Sequence, residues 1–467
     1  MRISRRPSRA ALLSALALAA PAIQPVGARA AQPGFGRPIA VQAPSLRSSG
    51  EPVASVSAAG DVIVAWDQQL SARAVGVLVR RGTTAGRFAR AQAVTTAGYE
   101  PAVAAGAGGG AAVVWQTDAR GGTRHVQVAV AQGSHRFGRA QTLATARANI
   151  TSQTVLYAGG RYVALWWQGV PGTGRHAVRY ALSDAHGRFG AAGTLASDTG
   201  PASGVSAAAA PDGTLIATWG TALGGTVATN QQLAYAQLAP GAPAFGPARQ
   251  ISAVAAASGA SAGGMTVAAG PGGAALGWTE SGQLPELLRA APLTPAVSAP
   301  ETVLSLDSSD LGKRWATGPA LALPGGGQAP VAAWAVLQGP GGESEAITGG
   351  SVFAARRSAA GSYPAPAQLS APATIATLPV AGATSSDAVV AWATGQFPRY
   401  GLQYALANGG AAFSPARSLT AGNAERGVSL ASSPGAVVAV WVSRPGPAGT
   451  HPRGVLRGVS IAILRAP

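Results

Sequence analysis

The chain has 467 residues, of which 47% are hydrophobic and 11% are charged, so it can bury a large core and is not a disordered, solvated chain. It contains no cysteine, which excludes disulfides, thiolate catalysis and cysteine-ligated zinc. The net charge of +17 comes from arginines that are not concentrated in a stripe, so nucleic acid is not expected as a partner. Scattered basic character favours acidic glycans, wall polymers or anionic surfaces.

The first thirty residues predict a signal peptide. Arginines among residues 2–9 precede a short apolar run over residues 10–20, and Ala28-Arg29-Ala30 is a small-x-small cleavage site. The apolar run is too short to span a bilayer, and no later stretch is long enough. We therefore expect a signal peptide over residues 1–30 and one domain over residues 31–467, secreted or on the exterior of the cell envelope, without a transmembrane segment.

The rest of the chain is an internal repeat. Each copy has an apolar strand, a turn of small residues and a second apolar strand that ends in tryptophan, at Trp66, Trp115, Trp166, Trp219, Trp278, Trp334, Trp392 and Trp441. The spacing of roughly 50–60 residues is typical of a four-stranded propeller blade. The sequence predicts an all-β fold, a single eight-bladed β-propeller of four-stranded antiparallel blades. Seven blades plus an irregular unit is the alternative, because the copies around Trp278 and Trp334 diverge most.

A second element recurs after most of the tryptophans, an aromatic residue followed six positions later by an aliphatic one. The pairs are Phe88 and Val94, Phe137 and Leu143, Phe189 and Leu195, Phe245 and Ile251, Tyr363 and Leu369, and Phe413 and Leu419. An even spacing places both residues on one side of a strand, which we predict to be the fourth of each blade. The last copy lacks this element, and Phe35 and Val41 supply it. We therefore expect the N-terminal strand to pair in the last blade beside the strand Val455 to Leu464 and to close the ring.

The eight tryptophans favour a structural interpretation. A tryptophan at one fixed strand position in every copy packs between neighbouring sheets, whereas a stacking platform for sugars or bases is the alternative.

Function is expected in the loops, which a propeller presents on two faces. Loops from strand 2 to strand 3, and from strand 4 to the next blade, share one face and carry many of the polar residues. The candidate ligand-binding residues there are Glu51, Glu100, Arg120, Arg124, His125, Arg175, His176, Arg399 and Glu425. Such a mixed rim suits polar or anionic ligands such as glycans, through charge-assisted hydrogen bonds. A solvated rim without a site is the alternative.

No catalytic residue is assigned. Glu51 and Glu100 open successive copies and could supply the paired carboxylates of glycoside hydrolysis, but their spacing equally fits a repeated structural role. The five histidines lack metal-ligand spacing, and no nucleophile elbow or phosphate-binding loop occurs. We expect no metal and no cofactor.

One turn carries a resemblance. Ser183-Asp184-Ala185-His186-Gly187-Arg188-Phe189 resembles a degenerate Asp-box, the turn between strands 3 and 4 of sialidase-like (Asp-box/BNR) propellers. The repeat as a whole looks like the secreted bacterial propellers grouped loosely with them. Sialidases imply six blades, an arginine triad, a Tyr/Glu pair and an acidic Asp. That set does not map onto eight copies.

We expect a non-catalytic, exported binding propeller, monomeric, that presents its polar loop face to a glycan, a cell-wall polymer or a protein. The alternatives are a sialidase-like glycoside hydrolase or lyase, and a structural envelope protein.

Overall fold

The computed structural model describes residues 34–466 with gaps at 46–48, 134, 174, 200–203, 223–230, 252–260, 282–284, 295–296, 307–313, 340–346, 365, 373, 397–398, 410, 426, 445–449 and 452–453. The signal peptide predicted over residues 1–30 lies outside these residues. Apart from two 3-10 turns, Ala107–Gly109 and Arg120–Gly122, the described residues form strands, turns and loops. None of the described segments is a helix with the length and hydropathy to cross a membrane.

The strands follow one another in antiparallel sheets. The first strand is β1 (Ile39–Ser45). Sheet 1 contains β2 (Val53–Val56), β3 (Asp61–Ser71), β4 (Ala74–Thr83) and β5 (Gln92–Thr95). Sheet 2 contains β6 (Tyr99–Ala105), β7 (Ala111–Ala119), β8 (Thr123–Ala131) and β9 (Gln141–Ala146). Sheet 3 contains β10 (Ile150–Ala158), β11 (Arg161–Gly169), β12 (His176–Leu182) and β13 (Gly193–Thr199). Sheet 4 contains β14 (Val205–Ala209), β15 (Leu215–Ala222), β16 (Gln231–Leu238) and β17 (Arg249–Gln250).

The second half of the chain repeats this order. Sheet 5 contains β18 (Ser261–Gly270), β19 (Gly273–Ser281), β20 (Glu286–Pro292) and β21 (Glu301–Leu306). In sheet 6, β22 (Arg314–Ala316) and β23 (Ala320–Ala322) share the first position, before β24 (Val331–Gln338), β25 (Gly349–Arg356) and β26 (Ala367–Gln368). Sheet 7 contains β27 (Ala376–Ala383), β28 (Asp387–Gln396), β29 (Arg399–Asn408) and β30 (Arg417–Ala424). Sheet 8 contains β31 (Ser429–Ser433), β32 (Ala436–Ser443), β35 (Arg457–Arg465) and β1, and a hairpin of β33 (Thr450–His451) and β34 (Gly454–Val455) precedes β35.

Sheets 7 and 8 are continuous through the residue pair Ala424 and Ser443. The prediction of an all-β fold built from four-stranded antiparallel sheets is confirmed, and this organisation is consistent with a β-propeller. In sheet 8, Ile39 of β1 is the register partner of Ile461 of β35. The C-terminal strand begins at Arg457 rather than at Val455, which belongs to the β33–β34 hairpin.

Alternation along each second strand distributes side chains between two apolar clusters. In β3, Val64 and Trp66 pack with Val438 and Ile461 of sheet 8, whereas Ile63 packs with sheet 2. Each repeat tryptophan lies in the cluster shared with the preceding sheet, and all eight side chains are at most 2% exposed. The structural interpretation of the tryptophans is therefore confirmed.

The recurrent aromatic residues lie outside the fourth strands in which we expected them. Phe88 precedes β5 and forms an isolated bridge with Gly82 of β4. A Cβ atom on Gly82 would lie 2.4 Å from Cδ1 of Phe88, so the ring occupies the space that the glycine leaves free. Phe189 forms the equivalent bridge with Ser183, just after the third strand of sheet 3, so both rings pack at the end of a third strand rather than within the fourth.

The first strands of six sheets line a shared cavity, which we call the channel. Strands β2, β6, β10 and β14, with parts of β18 and β31, line a cavity of about 830 Å³. Its walls consist mainly of alanine, with Ser55, Thr154 and Tyr157, and carry no charged side chain among the described residues. The described lining of the channel therefore offers no acid or base.

Candidate functional site

The polar residues predicted to bind a ligand lie at one end of the sheets. This loop face carries the connections from second to third strands and from fourth strands to the next sheet, such as residues 96–98 between β5 and β6 and residues 170–173 after β11. The opposite face carries the hairpins between first and second strands and the connections from third to fourth strands.

A bulge recurs where the first strands reach the loop face. In sheets 2, 3, 5 and 7, two residues of the first strand oppose a single tryptophan of the second, and the first of the two has a positive φ. These first residues are Glu100 (φ 50°), Ser152 (52°), Gly264 (56°) and Leu378 (51°). The left-handed conformation costs a non-glycine residue about 1–2 kcal/mol. Bulges re-aim side chains and are over-represented next to functional sites.

Glu51 occupies the corresponding position in sheet 1. The amide of Gly50 donates to the carbonyl oxygen of Asp67 (2.9 Å), and Val53 pairs with Ala65, so Glu51 and Pro52 lie opposite Trp66. Glu51 is exposed at the end of the channel. The sequence spacing of Glu51 and Glu100 therefore reflects equivalent positions in successive sheets.

Asp67 adds a carboxylate that the candidate set did not contain. Burial raises the pKa of Asp67, and the neighbouring charge of Glu51 raises it further, whereas hydrogen bonds to backbone amides, including those of Glu100 and Gly50, oppose the shift. Asp67 thus lies between Glu51 and Glu100, where strands β2 and β6 begin. Its place directly after a repeat tryptophan was the only sequence signal for it.

A buried amide pair holds Glu100. Nε2 of Gln116 donates to Oε2 of Glu100 (2.9 Å) and to Oε1 of Gln153 (2.6 Å), and Nε2 of Gln153 donates to the carbonyl oxygen of Glu100. Gln116 and Gln153 are 1% and 9% exposed. Side chains of sheets 2 and 3 therefore fix the conformation of Glu100, and its carboxylate has a hydrogen-bond donor within the protein.

Several arginines of the loop face form ion pairs. Nε of Arg124 lies 3.5 Å from Oδ1 of Asp118. Glu425, which we expected to face a ligand, is only 8% exposed and contacts Nη2 of Arg444 (3.1 Å) and Nε of Arg457 (2.5 Å). Burial alone would raise the pKa of Glu425, but the hydrogen bonds from Arg457 and Arg444 lower it below its usual value. Glu425 therefore connects strands of sheet 8 and does not present its charge to solvent.

The histidines of the candidate set also have partners within the fold. Nδ1 of His125 lies 2.9 Å from Oγ1 of Thr145. The ring of His176 stacks on Trp167 with centroids 3.7 Å apart, and burial lowers the pKa of this histidine. Arg175 is exposed beside it, and the side chains of Arg120 and Arg399 lie outside the described part of the structure. The seven candidates whose side chains are described therefore belong to sheets 1, 2 and 3 and to the connection between sheets 7 and 8.

A concave feature of the loop face, which we call the mouth pocket, lies among sheets 1, 7 and 8. It has a volume of about 580 Å³ and is lined by Glu51 and Val53 of sheet 1, Leu378, Val380 and Tyr400 of sheet 7, and Val428 of sheet 8, with flanking residues of the same strands. Leu378 is 51% exposed, the highest exposure of any large hydrophobic side chain described. The sequence analysis missed this pocket because most of its lining is apolar. Among the described residues, no three metal-ligating side chains are close enough to hold a metal ion.

The turn that resembles an Asp-box lies on the opposite face. Oδ1 of Asp184 accepts hydrogen bonds from the amides of His186 (2.9 Å) and Arg188 (2.8 Å), Gly187 has φ 75°, and Ser183 bridges to Phe189. The carboxylate is used to close the turn. The motif is therefore a structural element remote from the loop-face residues.

No protein-family model matches the chain, and no curated protein matches it in sequence. Among solved structures, the WD40 domain of SCAP from fission yeast is 9% identical, with 92% of this chain and 98% of that chain covered and a TM-score of 0.47. The β-propeller domain of the Trilobed protease from Pyrococcus furiosus is 7% identical, with 81% and 99% covered and a TM-score of 0.44. An ulvan lyase of a polysaccharide lyase family is 11% identical, with 93% and 94% covered and a TM-score of 0.43. Each TM-score is below one half, so these likenesses carry no argument about function.

Proposed function

We propose that the protein is an exported, non-catalytic binding propeller that captures a segment of a partner protein in the mouth pocket. The observation that carries this proposal is the pocket itself, where Leu378 is both strained and exposed on an apolar surface. A volume of about 580 Å³ lies within the range of roughly 300–1,000 Å³ that ligand pockets occupy. An exposed apolar residue in a strained backbone conformation lowers the stability of the fold, and a partner that covers it would give it a function.

The scaffold in this proposal is a closed ring of eight blades. Eight apolar clusters support it, each shared by two successive sheets, with sheet 8 and sheet 1 sharing the one around Trp66. The pairing of Ile39 with Ile461 supports a ring in which the N-terminal strand completes the last blade. A closed ring leaves no sheet face open between blades and holds the loop face rigid, which lowers the entropic cost of binding.

Binding is favoured over glycoside hydrolysis by the state of the arginines. Arg124, Arg444 and Arg457 of the loop face are in ion pairs with carboxylates, and Arg289 is paired with Glu280 (3.1 Å). An arginine in such a pair is not free to clamp an anionic sugar. We therefore propose neither the sialidase-like activity nor a lyase activity for this site.

A protein segment is favoured over a glycan or wall polymer by the lining of the mouth pocket. Valine, leucine and proline side chains dominate it, with Glu51, Tyr400 and Ser429 as polar groups. Apolar walls reward the burial of aliphatic side chains, at about 25 cal/mol per Å². A hydroxyl-rich sugar would lose hydrogen bonds to water there without replacing them.

The test is a screen with two probes, a random linear peptide library displayed on phage and a glycan array. Binders of the wild-type protein are then measured on Leu378→Trp, which fills the mouth pocket, and on Val297→Trp, a control at a valine that is 37% exposed elsewhere. We expect binders of the mouth pocket to come from the peptide library, and their binding to be lost in Leu378→Trp and retained in Val297→Trp. Peptides that tolerate both substitutions equally would overturn the proposal, as would a library that yields no binder.

A further inference from the structure

The opposite face carries a second pocket, which lies between sheets 1 and 2 and which we call the arginine pocket. It has a volume of about 530 Å³ and is lined by β4 and β5, by the connection between them, and by the connection from β8 to β9. Its polar lining residues are Arg81, Arg90, Gln92, His135 and Arg136. We infer that the arginine pocket binds an acidic polysaccharide, through a sugar residue that carries a carboxylate or a sulfate. This second site is separate from the proposed peptide site in the mouth pocket.

Arg81 is a fixed cation of the arginine pocket. Its Nη1 atom donates to the carbonyl oxygen of His135 (2.8 Å), and its Nη2 atom donates to those of Gly133 (2.6 Å) and Gly109. These acceptors are uncharged, and Arg81 forms no ion pair with any described acid. The fold therefore holds this guanidinium group in place without neutralising it, and its positive charge attracts an anion to the pocket.

Two further arginines of this pocket are available to a ligand. Arg90 and Arg136 are exposed, and neither side chain has a hydrogen bond or ion pair in the described part of the structure. On the loop face, by contrast, Arg124 and Arg444 are in ion pairs with carboxylates. No acidic side chain among the described residues lines the arginine pocket. The guanidinium groups of Arg90 and Arg136 can therefore form bidentate, charge-assisted hydrogen bonds to an oxyanion.

Gln92 adds a neutral donor to the arginine pocket. Its Oε1 atom accepts a hydrogen bond from the amide of Phe137 (3.4 Å), and its Nε2 atom has no acceptor among the described residues. The equivalent Gln141 of sheet 2 uses both ends, because Oε1 accepts from the amide of Phe189 (3.0 Å) and Nε2 donates to the carbonyl oxygen of Gly187 (3.4 Å). The Nε2 atom of Gln92 is thus left for a ligand oxygen.

The size and the donors of the arginine pocket favour an acidic sugar over a simple anion. A single sulfate or phosphate ion would fill only a small part of its volume of about 530 Å³. Gln92 and His135 lie beside the arginines and suit hydroxyl groups next to the acid, which a sugar has and a glutamate side chain lacks.

The apolar part of the lining is unsuited to nucleic acid or a membrane. Single strands bind through aromatic rings on which bases stack, whereas Phe137, the aromatic residue described in this pocket, is only 9% exposed. A membrane surface is bound by large apolar side chains that enter the lipid boundary, and none of those described as exposed lines the arginine pocket. An acidic polysaccharide is therefore the polyanion that the lining fits best.

The experiment measures binding to the full chain by isothermal titration calorimetry. The acidic probes are oligogalacturonate and dextran sulfate, with methyl-esterified oligogalacturonate and dextran as their neutral counterparts. Polyglutamate and oligothymidylate serve as polyanions without an acidic sugar. The variants are Arg90→Gln and Arg136→Gln in the pocket and Arg139→Gln as matched control, an exposed arginine of the same connection that does not line the pocket.

We expect at least one acidic probe to bind the wild type and its neutral counterpart not to bind. Arg90→Gln and Arg136→Gln should each weaken binding about tenfold, because each removes a charge-assisted hydrogen bond. Arg139→Gln removes the same charge from outside the pocket and should weaken binding less than about twofold. Binding of dextran sulfate alone would identify the acid as a sulfate, and binding of oligogalacturonate alone would identify it as a carboxylate.

Three results would overturn the inference. They are the failure of both acidic probes to bind, equal weakening by Arg136→Gln and Arg139→Gln, and binding of polyglutamate or oligothymidylate as tight as that of the acidic sugars. Leu378→Trp, which fills the mouth pocket, should leave the affinity for the acidic probe unchanged, so this site and the proposed function fail or stand independently. Melting curves verify that each variant remains folded.

Discussion

Nε of Arg465, near the C-terminal end, donates a hydrogen bond of 2.9 Å to the carbonyl oxygen of Thr84, 381 positions earlier in the chain. The contact has counterparts between sheets that are adjacent in sequence. Nη1 of Arg81 donates to the carbonyl oxygen of His135 (2.8 Å), and Nη2 of Arg356 donates to that of Ala411 (2.7 Å). In each case an arginine at the end of a third strand reaches the following sheet, and sheet 8 therefore contacts sheet 1 as other neighbouring sheets contact each other.

Deletion of residues 34–45 should destabilise the protein. The deletion removes β1, exposes the edge of β35 and takes Val41, which is 2% exposed, out of the cluster around Trp66. A loss of about 3–5 kcal/mol is expected from the apolar burial, or about 3–6 °C in melting temperature for a domain of this size. Calorimetry on the deletion variant, with a chain lacking only residues 1–30 as control, measures it. An unchanged melting temperature would refute closure by the N-terminal strand.

Two tryptophans at equivalent positions should respond differently to phenylalanine. Nε1 of Trp278 donates to Oε1 of the buried Glu280 (3.0 Å), whereas Nε1 of Trp115 is buried without a hydrogen-bond partner. Trp278→Phe removes a hydrogen bond to a buried carboxylate, and Trp115→Phe removes only an unpaired donor. We expect Trp278→Phe to lower the free energy of unfolding by about 1–2 kcal/mol more than Trp115→Phe, measured by urea denaturation. Equal losses would show that the Trp278–Glu280 contact adds no stability.

Protonation of Glu425 should make the protein less stable in acid. The pKa of Glu425 in the folded protein is below its ordinary value of 4.5, so its contribution is complete above that value and is lost as the pH falls through the folded pKa. Glu425→Gln should cost about 3 kcal/mol at neutral pH, because Arg444 is left buried without its counter-charge, and should flatten the acid limb of the stability profile. Asp118→Asn, at an exposed pair, is the control. A parallel acid limb in wild type and Glu425→Gln would contradict this assignment.

The ionisation of Asp67 should have the opposite effect on stability to that of Glu425. The pKa of Asp67 is raised above 3.8, so the ionised carboxylate destabilises the folded state at neutral pH, and that penalty disappears as the pH falls through the folded pKa. Asp67→Asn should raise the free energy of unfolding at neutral pH by up to about 1 kcal/mol, and the gain should vanish in acid. Denaturation across a pH series measures the difference. A variant that is less stable than wild type at every pH would show that the backbone hydrogen bonds of Asp67 need its charge.

Leu378→Gly separates binding from stability. Glycine relieves the left-handed backbone strain of about 1–2 kcal/mol, and it gives up little burial because the leucine side chain is 51% exposed. We expect the free energy of unfolding to change by less than about 1 kcal/mol while binding of the selected peptides falls at least tenfold. Retained binding in Leu378→Gly would remove this residue from the site.

The sequence predicted the sheets because a buried aromatic residue recurs in each. Trp66 and its seven counterparts mark second strands that alternate between two clusters, and this pattern survives divergence of the turns. The mouth pocket carried no comparable signal, because Val53, Leu378 and Val428 are ordinary aliphatic residues far apart in the chain, and the φ of Leu378 is not encoded in a local pattern. Glu425 was expected to face a ligand, because the sequence does not show its arginine partners. These arginines are distant in the chain, and only the fold brings them to Glu425.

The most direct test of the account is hydrogen exchange of the protein with and without a peptide selected on the loop face. Binding in the mouth pocket predicts slower amide exchange in three separate segments at once, residues 50–53, 377–380 and 427–429, and no change in the turn over residues 183–189 on the opposite face. Protection confined to that opposite face, or to only one of the three segments, would contradict a site built jointly by the first strands of sheets 1, 7 and 8.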